Sequence, residues 1–196
     1  MVSTFVVSGF SQFEQYIQED PEPTSQNQAG ATFSILESGS GFGAFYEWAL
    51  PQFWYFGTNL NFYMLRDNGQ IDYQDPYTGY PMSYGKVNNV YWIDLGVTVK
   101  KRLFTRSIDD QFRPFVSASV GPVYGMNYPE IKELDDQFTW AFSGGLAAGV
   151  DVVMDTGYLI GFELQYRLMR FGADLGEIQY GNYSTLDVRL ELGKLF

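Results

Sequence analysis

A chain of 196 residues is long enough for one closed β-barrel and too short for two full cores. Its 15 Tyr, 17 Phe and 21 Gly are high for a soluble enzyme, while a mean hydropathy of -0.17 is far too low for a helical membrane protein. The formal net charge of -11 argues against a nucleic-acid partner, the lack of Cys removes disulfides and thiolate metal sites, and the lack of His removes the commonest general base and metal ligand.

Met1 to Gln12 has neither the basic n-region nor the long apolar h-region of a signal peptide, so the chain is read as a mature or engineered form. Thr4 to Phe13 is predicted as the first strand, and Ala31 to Leu50 as a long second one. In the latter, Gly39, Gly41 and Gly43 predict a bulge or bend, because the apolar phase changes from Phe33 and Ile35 to Phe42, Ala44, Tyr46 and Trp48. The uncharged stretch from Trp48 to Leu65 contains Pro51, Gln52, Thr58, Asn59 and Asn61 and fails as a transmembrane helix.

From Trp54 to Met64 the chain alternates with period two: Trp54, Phe56, Thr58, Leu60, Phe62 and Met64 oppose Tyr55, Gly57, Asn59, Asn61 and Tyr63. Tyr91, Ile93, Leu95, Val97 and Val99 then oppose Trp92, Asp94, Gly96, Thr98 and Lys100. In Val116 to Met126 the small residues Ser117, Ser119, Gly121 and Gly125 share the second face, Val123 interrupts it, and Pro122 predicts a bulge or local break. Phe138 to Val152 places Trp140, Phe142, Leu146 and Ala148 opposite Thr139, Ser143, Gly145, Gly149 and Asp151. The last two segments, Tyr158 to Leu168 and Leu186 to Leu192, confine Glu163, Arg167, Asp187, Arg189 and Glu191 to one face. A slip of one residue would put these charges in lipid, at roughly 2–4 kcal/mol for each midplane Arg.

Eight such segments, one domain over residues 1–196, predict an all-β fold: an eight-stranded antiparallel up-and-down transmembrane β-barrel. Polar connections near Glu14 to Gly30, Arg66 to Asn89, Asn127 to Gln137 and Arg170 to Asn182 alternate with tighter joins at Leu50 to Gln52, Phe104 to Arg113 and Met154 to Gly157. Long outer loops and short inner turns place both termini on the periplasmic side. A soluble barrel around a small apolar ligand would show the same alternation with its apolar face inward.

The chain resembles the small bacterial outer-membrane β-barrel superfamily that includes the OmpA transmembrane domain, OmpX and OmpW-like proteins. The resemblance rests on the opening Thr4 to Gly9, on Gly41 to Phe45, on Arg113 to Gly121, and on the end Leu192-Gly193-Lys194-Leu195-Phe196. It implies a Gram-negative outer-membrane location, lipid as the surrounding partner, and a C-terminal signal for the barrel-assembly machinery carried by Val188, Leu190, Leu192 and Phe196. Lys194 departs from the apolar residue usual at its position.

The inward faces are expected to bring Glu47, Asp94, Lys100, Arg102, Asp151, Glu163, Arg167, Asp187, Arg189 and Glu191 together as a polar plug, the alternative being a narrow channel for ions or small solutes. Trp48, Trp54, Tyr91, Trp140, Tyr158 and Tyr166 are expected at the membrane interfaces. Without His to activate Ser117, Ser119 or Ser143, no enzyme is predicted, and no cofactor. The oxygen-rich run Asp67 to Asp72, with Asp75, lacks the order of an EF-hand and reads as a solvated turn; Asp135, Asp136, Asp174 and Glu177 read the same way. The aromatic loop Tyr73 to Tyr84 suits contact with an envelope or surface protein partner.

Overall fold

The computed structural model describes residues 25–66, 71–84, 88–108, 110–129, 135–175 and 182–196. Ten strands follow in chain order: β1 (Gln28–Leu36), β2 (Gly39–Leu50), β3 (Trp54–Arg66), β4 (Ile71–Gln74), β5 (Pro81–Tyr84), β6 (Asn88–Arg102), β7 (Phe112–Pro129), β8 (Gln137–Val153), β9 (Tyr158–Phe171) and β10 (Asn182–Leu195). Eight of them close a barrel in the order β1-β10-β9-β8-β7-β6-β3-β2, every pair antiparallel, and β4 and β5 form a separate two-stranded hairpin. Closure pairs Gln28 with Leu195, so the barrel has no free edge.

The eight strands are not all those the alternation predicts. Ala31 to Leu50 is a hairpin: β1 and β2 are joined by Glu37 and Ser38 alone, with Leu36 opposite Gly39. A two-residue turn exchanges odd for even positions on the outer face, which produces the phase change without a bulge. With that hairpin supplying two strands, the barrel closes without Thr4 to Phe13, a segment outside the described residues. The polar connection expected up to Gly30 is corrected accordingly, since Gln28 to Gly30 already belongs to β1.

Pro122 produces a local break but no bulge. The β6–β7 register is the same on both sides of the interruption, with Asp94 opposite Val123 and Val97 opposite Val120. A strand position without an N–H drops out of the ladder there, while its other neighbour β8 still pairs Pro122 with Phe142.

One end of the barrel carries the joins 51–53, 103–111 and 154–157 together with the start of β1 and the end of β10; we call it the turn end. Gly157, at φ 78°, closes the last of these by donating its N–H to the Met154 carbonyl. The opposite, loop end carries 37–38, 67–87, 130–136 and 172–181. In each barrel strand, inward residues alternate with outward ones; β9 shows it without exception from Tyr158 to Phe171.

Candidate functional site

The alternation sorts charge from hydrocarbon in the direction opposite to a soluble protein. Outward positions carry large apolar side chains, including Phe142 at 63%, Trp140 at 64% and Leu146 at 70% exposure, whereas all ten of the charged residues assigned to the interior are buried there. A calyx for an apolar ligand needs its apolar face inside, so this geometry removes the soluble-barrel alternative.

The lumen is layered. In the layer toward the turn end, Lys100 Nζ lies 2.9 Å from Glu47, 3.5 Å from Asp151 and 3.5 Å from Glu191, with its ammonium 4.2 Å from the centre of the Phe115 ring. Gln28 Nε2 donates to the remaining oxygen of Glu47. In the next layer Arg167 pairs with Asp94 at 2.6 Å and Asp187 at 3.1 Å, and Arg189 pairs with Glu163 at 3.1 Å. Both guanidinium groups also donate to the Tyr63 hydroxyl, at 2.9 and 3.4 Å, and to Gln165 Oε1, at 2.8 and 3.1 Å. These neutral acceptors fill guanidinium donors that the carboxylates leave over, as a buried charge requires.

Glycine makes this filling possible. A Cβ on Gly41 would stand 2.3 Å from the Tyr63 ring, and one on Gly43 would stand 2.2 Å from Asn61 Oδ1. Gly41 and Gly43, which suggest a bend, instead leave room for the side chains of β3 inside a narrow tube.

An apolar layer caps the ionic ones at the loop end, and a small apolar group joins them at the turn end. Toward the loop end, Leu36, Leu65, Val90, Trp92, Val123, Ala141, Met169, Phe171 and Leu175 form one buried cluster with Tyr63. Leu175 comes from the β9–β10 connection and reaches over Gly125, where a Cβ would stand 2.5 Å from it. Toward the turn end Phe45, Leu159 and Leu195 pack together, and a cavity of about 10 Å³ beside Tyr55, Lys100 and Phe115 has room for a single water.

The interior also holds Arg113, which the alternation does not single out because Pro114 follows it at the strand's start. It shares Asp110 with Arg102: the two guanidinium groups lie 2.8 and 2.6 Å from its carboxylate. Partial burial opposes ionisation of Asp110, but the hydrogen bond from Arg102 and the charge of Arg113 prevail and hold its carboxyl below the usual range. The joint between β6 and β7 is thus longer than a tight turn and fastened by a two-arginine clasp.

On the outer wall, Trp48 packs on Tyr46 at 4.6 Å between ring centroids and on Phe56 at 5.8 Å, and Tyr46 meets Phe196 at 5.8 Å, all near the turn end. Trp54 lies under Lys101 and Tyr158 under Lys194 at the same rim, with the ammonium groups 5.0 and 5.7 Å from the ring centres. Toward the loop end, Tyr91 meets Phe62 at 5.8 Å and Tyr128 at 6.2 Å, and Trp140 meets Tyr124 at 4.8 Å. Tyr166 stands apart from both rims, in mid-strand opposite Leu186 and Leu146. Val188, Leu190, Leu192 and Phe196 share the outward phase of β10, as does Lys194.

Outside the barrel, the hairpin tip between β4 and β5 is ordered by Asp75, which accepts the Tyr77 N–H and the Thr78 hydroxyl, each at 2.8 Å. Those bonds hold the Asp75 carboxyl below its ordinary 3.8, and they leave Tyr77 96% exposed. Because the value is lowered in the folded turn, the turn's gain from ionisation is present above the ordinary carboxylate range and is lost as pH falls through the lowered one. A carbon-detected NMR titration is expected to place the Asp75 midpoint below 3.8, and Asp75→Ala to speed amide exchange at Tyr77 and Gly79. Residues 67–70 of the oxygen-rich run, and Glu177, lie outside the described residues, among which no acidic cluster suits a metal ion.

No protein-family model matches the chain, and no curated protein matches it by sequence. Among the solved structures that share its fold are the following two. Neisserial surface protein A aligns with TM-score 0.57 and 13% identity over 88% of this chain and 97% of its own. The N-terminal β-barrel domain of OprF from Pseudomonas aeruginosa aligns with TM-score 0.56 and 12% identity over 88% of this chain and 100% of that domain. The chain therefore has the closed eight-stranded fold of the small outer-membrane barrels.

Proposed function

We propose that this chain is a non-enzymatic barrel of a bacterial outer membrane, which anchors in lipid, holds its turn end and both termini in the periplasm, and presents its loop end to the outside. The observation that carries this reading is the inverted polarity: an apolar outer wall around a lumen filled by ion pairs and capped at the loop end by an apolar layer. Such a wall in water would be a very large exposed apolar patch; in a bilayer it replaces acyl contacts. The outward series Val188, Leu190, Leu192 and Phe196 offers the barrel-assembly machinery a C-terminal pattern to read, and Tyr77 on its ordered hairpin offers a contact to an envelope or surface protein partner.

Two measurements test this. The folded protein in detergent is expected to migrate differently on a gel before and after boiling; a heat-insensitive, detergent-independent monomer would remove the membrane reading. In planar bilayers the purified protein is expected to show no stable ion-selective openings, since Arg167, Arg189, Tyr63 and Gln165 cross the lumen. Stable openings at low voltage would replace the plug with a channel.

A further inference from the structure

Among the described residues the outer wall carries a depression at the turn end, across β1, β10 and β9. The outermost row there runs Tyr46, Ala29, Lys194, Tyr158, and the next row inward runs Ala44, Ala31, Leu192, Ile160. Ala29, with Gly30 and Gly193 beside it, keeps the floor low between Leu192, Tyr158 and Ile160. The depression is a groove of about 530 Å³ bounded by Ala29, Met154, Tyr158, Ile160, Leu192 and Lys194. That volume falls within the roughly 300–1,000 Å³ of small-molecule sites.

Charge indicates what fills it. The protein has 23 acidic and 12 basic residues, yet among the described side chains of the barrel strands every outward charge is a cation: Lys101, Arg170 and Lys194. Among the described side chains, the carboxylates of the barrel strands all point inward. Lys194 stands at the mouth of the groove over the Tyr158 ring, its stem along apolar surface and its ammonium at the rim. An apolar trough with a single ammonium at its end matches a molecule with a long hydrocarbon chain and an anionic head.

We propose that this groove is a specific site for an anionic glycerophospholipid, with an acyl chain lying over Ala29 and Leu192 and the headgroup phosphate at Lys194. The inference rests on the membrane reading above, and it gives the departure at Lys194 a role: the residue that weakens the C-terminal apolar series is the one that holds the headgroup.

The test is native mass spectrometry of the full chain released from detergent containing equal amounts of dioleoyl phosphatidylglycerol and dioleoyl phosphatidylcholine. The single-lipid adduct is expected to favour phosphatidylglycerol about fivefold, the gain of one cation at a charged lipid surface. Lys194→Gln is expected to bring the ratio to about one, Lys101→Gln to leave it unchanged, and Ala29→Trp to remove the adduct while keeping the heat-dependent gel mobility. Equal retention of both lipids by the unaltered chain would overturn the site, as would an equal loss in Lys101→Gln, which would mark a general rim charge. A two-chain mass that Ala29→Trp abolishes would put a second copy in the groove, and greater lipid retention after removal of residues 1–24 would put the chain's own N-terminal segment there; either overturns the proposal. Loss of heat-dependent mobility in the unaltered chain would overturn the membrane reading along with the site, whereas a folded barrel without lipid preference overturns the site alone.

Discussion

Replacing Lys100 with Met is expected to lower the unfolding free energy by about 3–5 kcal/mol, the cost of leaving buried charge unpaired. Met keeps the apolar stem and gives up the ammonium together with its contact to the Phe115 ring, so the loss reports mainly charge and only in small part a cavity. Glu47, Asp151 and Glu191 each lie within 3.5 Å of the one ammonium, and all three are buried. Urea unfolding in detergent micelles, followed by tryptophan fluorescence, measures the change. Adding Glu47→Gln, Asp151→Asn and Glu191→Gln to Lys100→Met is expected to recover most of it, because removing a whole ionic group is far less costly than breaking one. Its outward neighbour Lys101 serves as control, where Met gives up the Trp54 ring contact and the bond to the Gln52 carbonyl at the rim and should cost no more than about 1 kcal/mol. A Lys100→Met variant within about 0.5 kcal/mol of the parent would mean that water or a mobile ion reaches the three carboxylates, and the closed lumen would have to be abandoned.

The outward half of the barrel was legible because lipid-facing positions must be apolar at every second residue, and six strands satisfy that over long runs. What the alternation conceals is an apolar residue that points inward. Trp92 and Val123 sit on the same phase as Asp94 and Gly125, and only closure of the barrel shows that they belong to a plug at the loop end. Val123 therefore reads as an exception in the sequence and is a core residue in the fold. Tyr63 is concealed in the same manner: its hydroxyl joins Arg167 to Arg189, but nothing local distinguishes it from an interfacial tyrosine.

Strand number was legible for a reason that did not depend on the right segments. A closed up-and-down barrel with its ends together needs an even count, and the count of eight survives the exchange of Thr4 to Phe13 for the β1–β2 hairpin. The hairpin is hidden because Glu37 and Ser38 lack the Asn-Gly or Asp-Gly chemistry that usually announces a two-residue turn. Polarity marks which face a residue takes, but turn position depends on the pairing of distant residues, and in β1 that partner is β10, at the other end of the chain.

An arginine in place of Leu164 is expected to cost about 2–4 kcal/mol in lipid vesicles, while the same replacement at Leu50 should cost about 0–1 kcal/mol. Leu164 lies in the middle of β9, outward, opposite Val188 and Ala148; Leu50 is the last residue of β2 at the turn end. Both are leucines at similar exposure, 45% and 42%, so composition and burial predict equal effects. Only depth in a hydrocarbon layer separates them, because a mid-wall guanidinium must thin the bilayer or reach for its interface, whereas one at the rim is already there. Guanidinium unfolding of the variants in dilauroyl phosphatidylcholine vesicles gives the two differences directly. If both variants lost the same amount, the outer wall would not be a lipid surface with a midplane, and the apolar band would need a protein partner to cover it. A difference of a few kcal/mol between two equally exposed leucines has no counterpart in a water-soluble barrel, which makes the pair a sharper test of the membrane reading than either substitution alone.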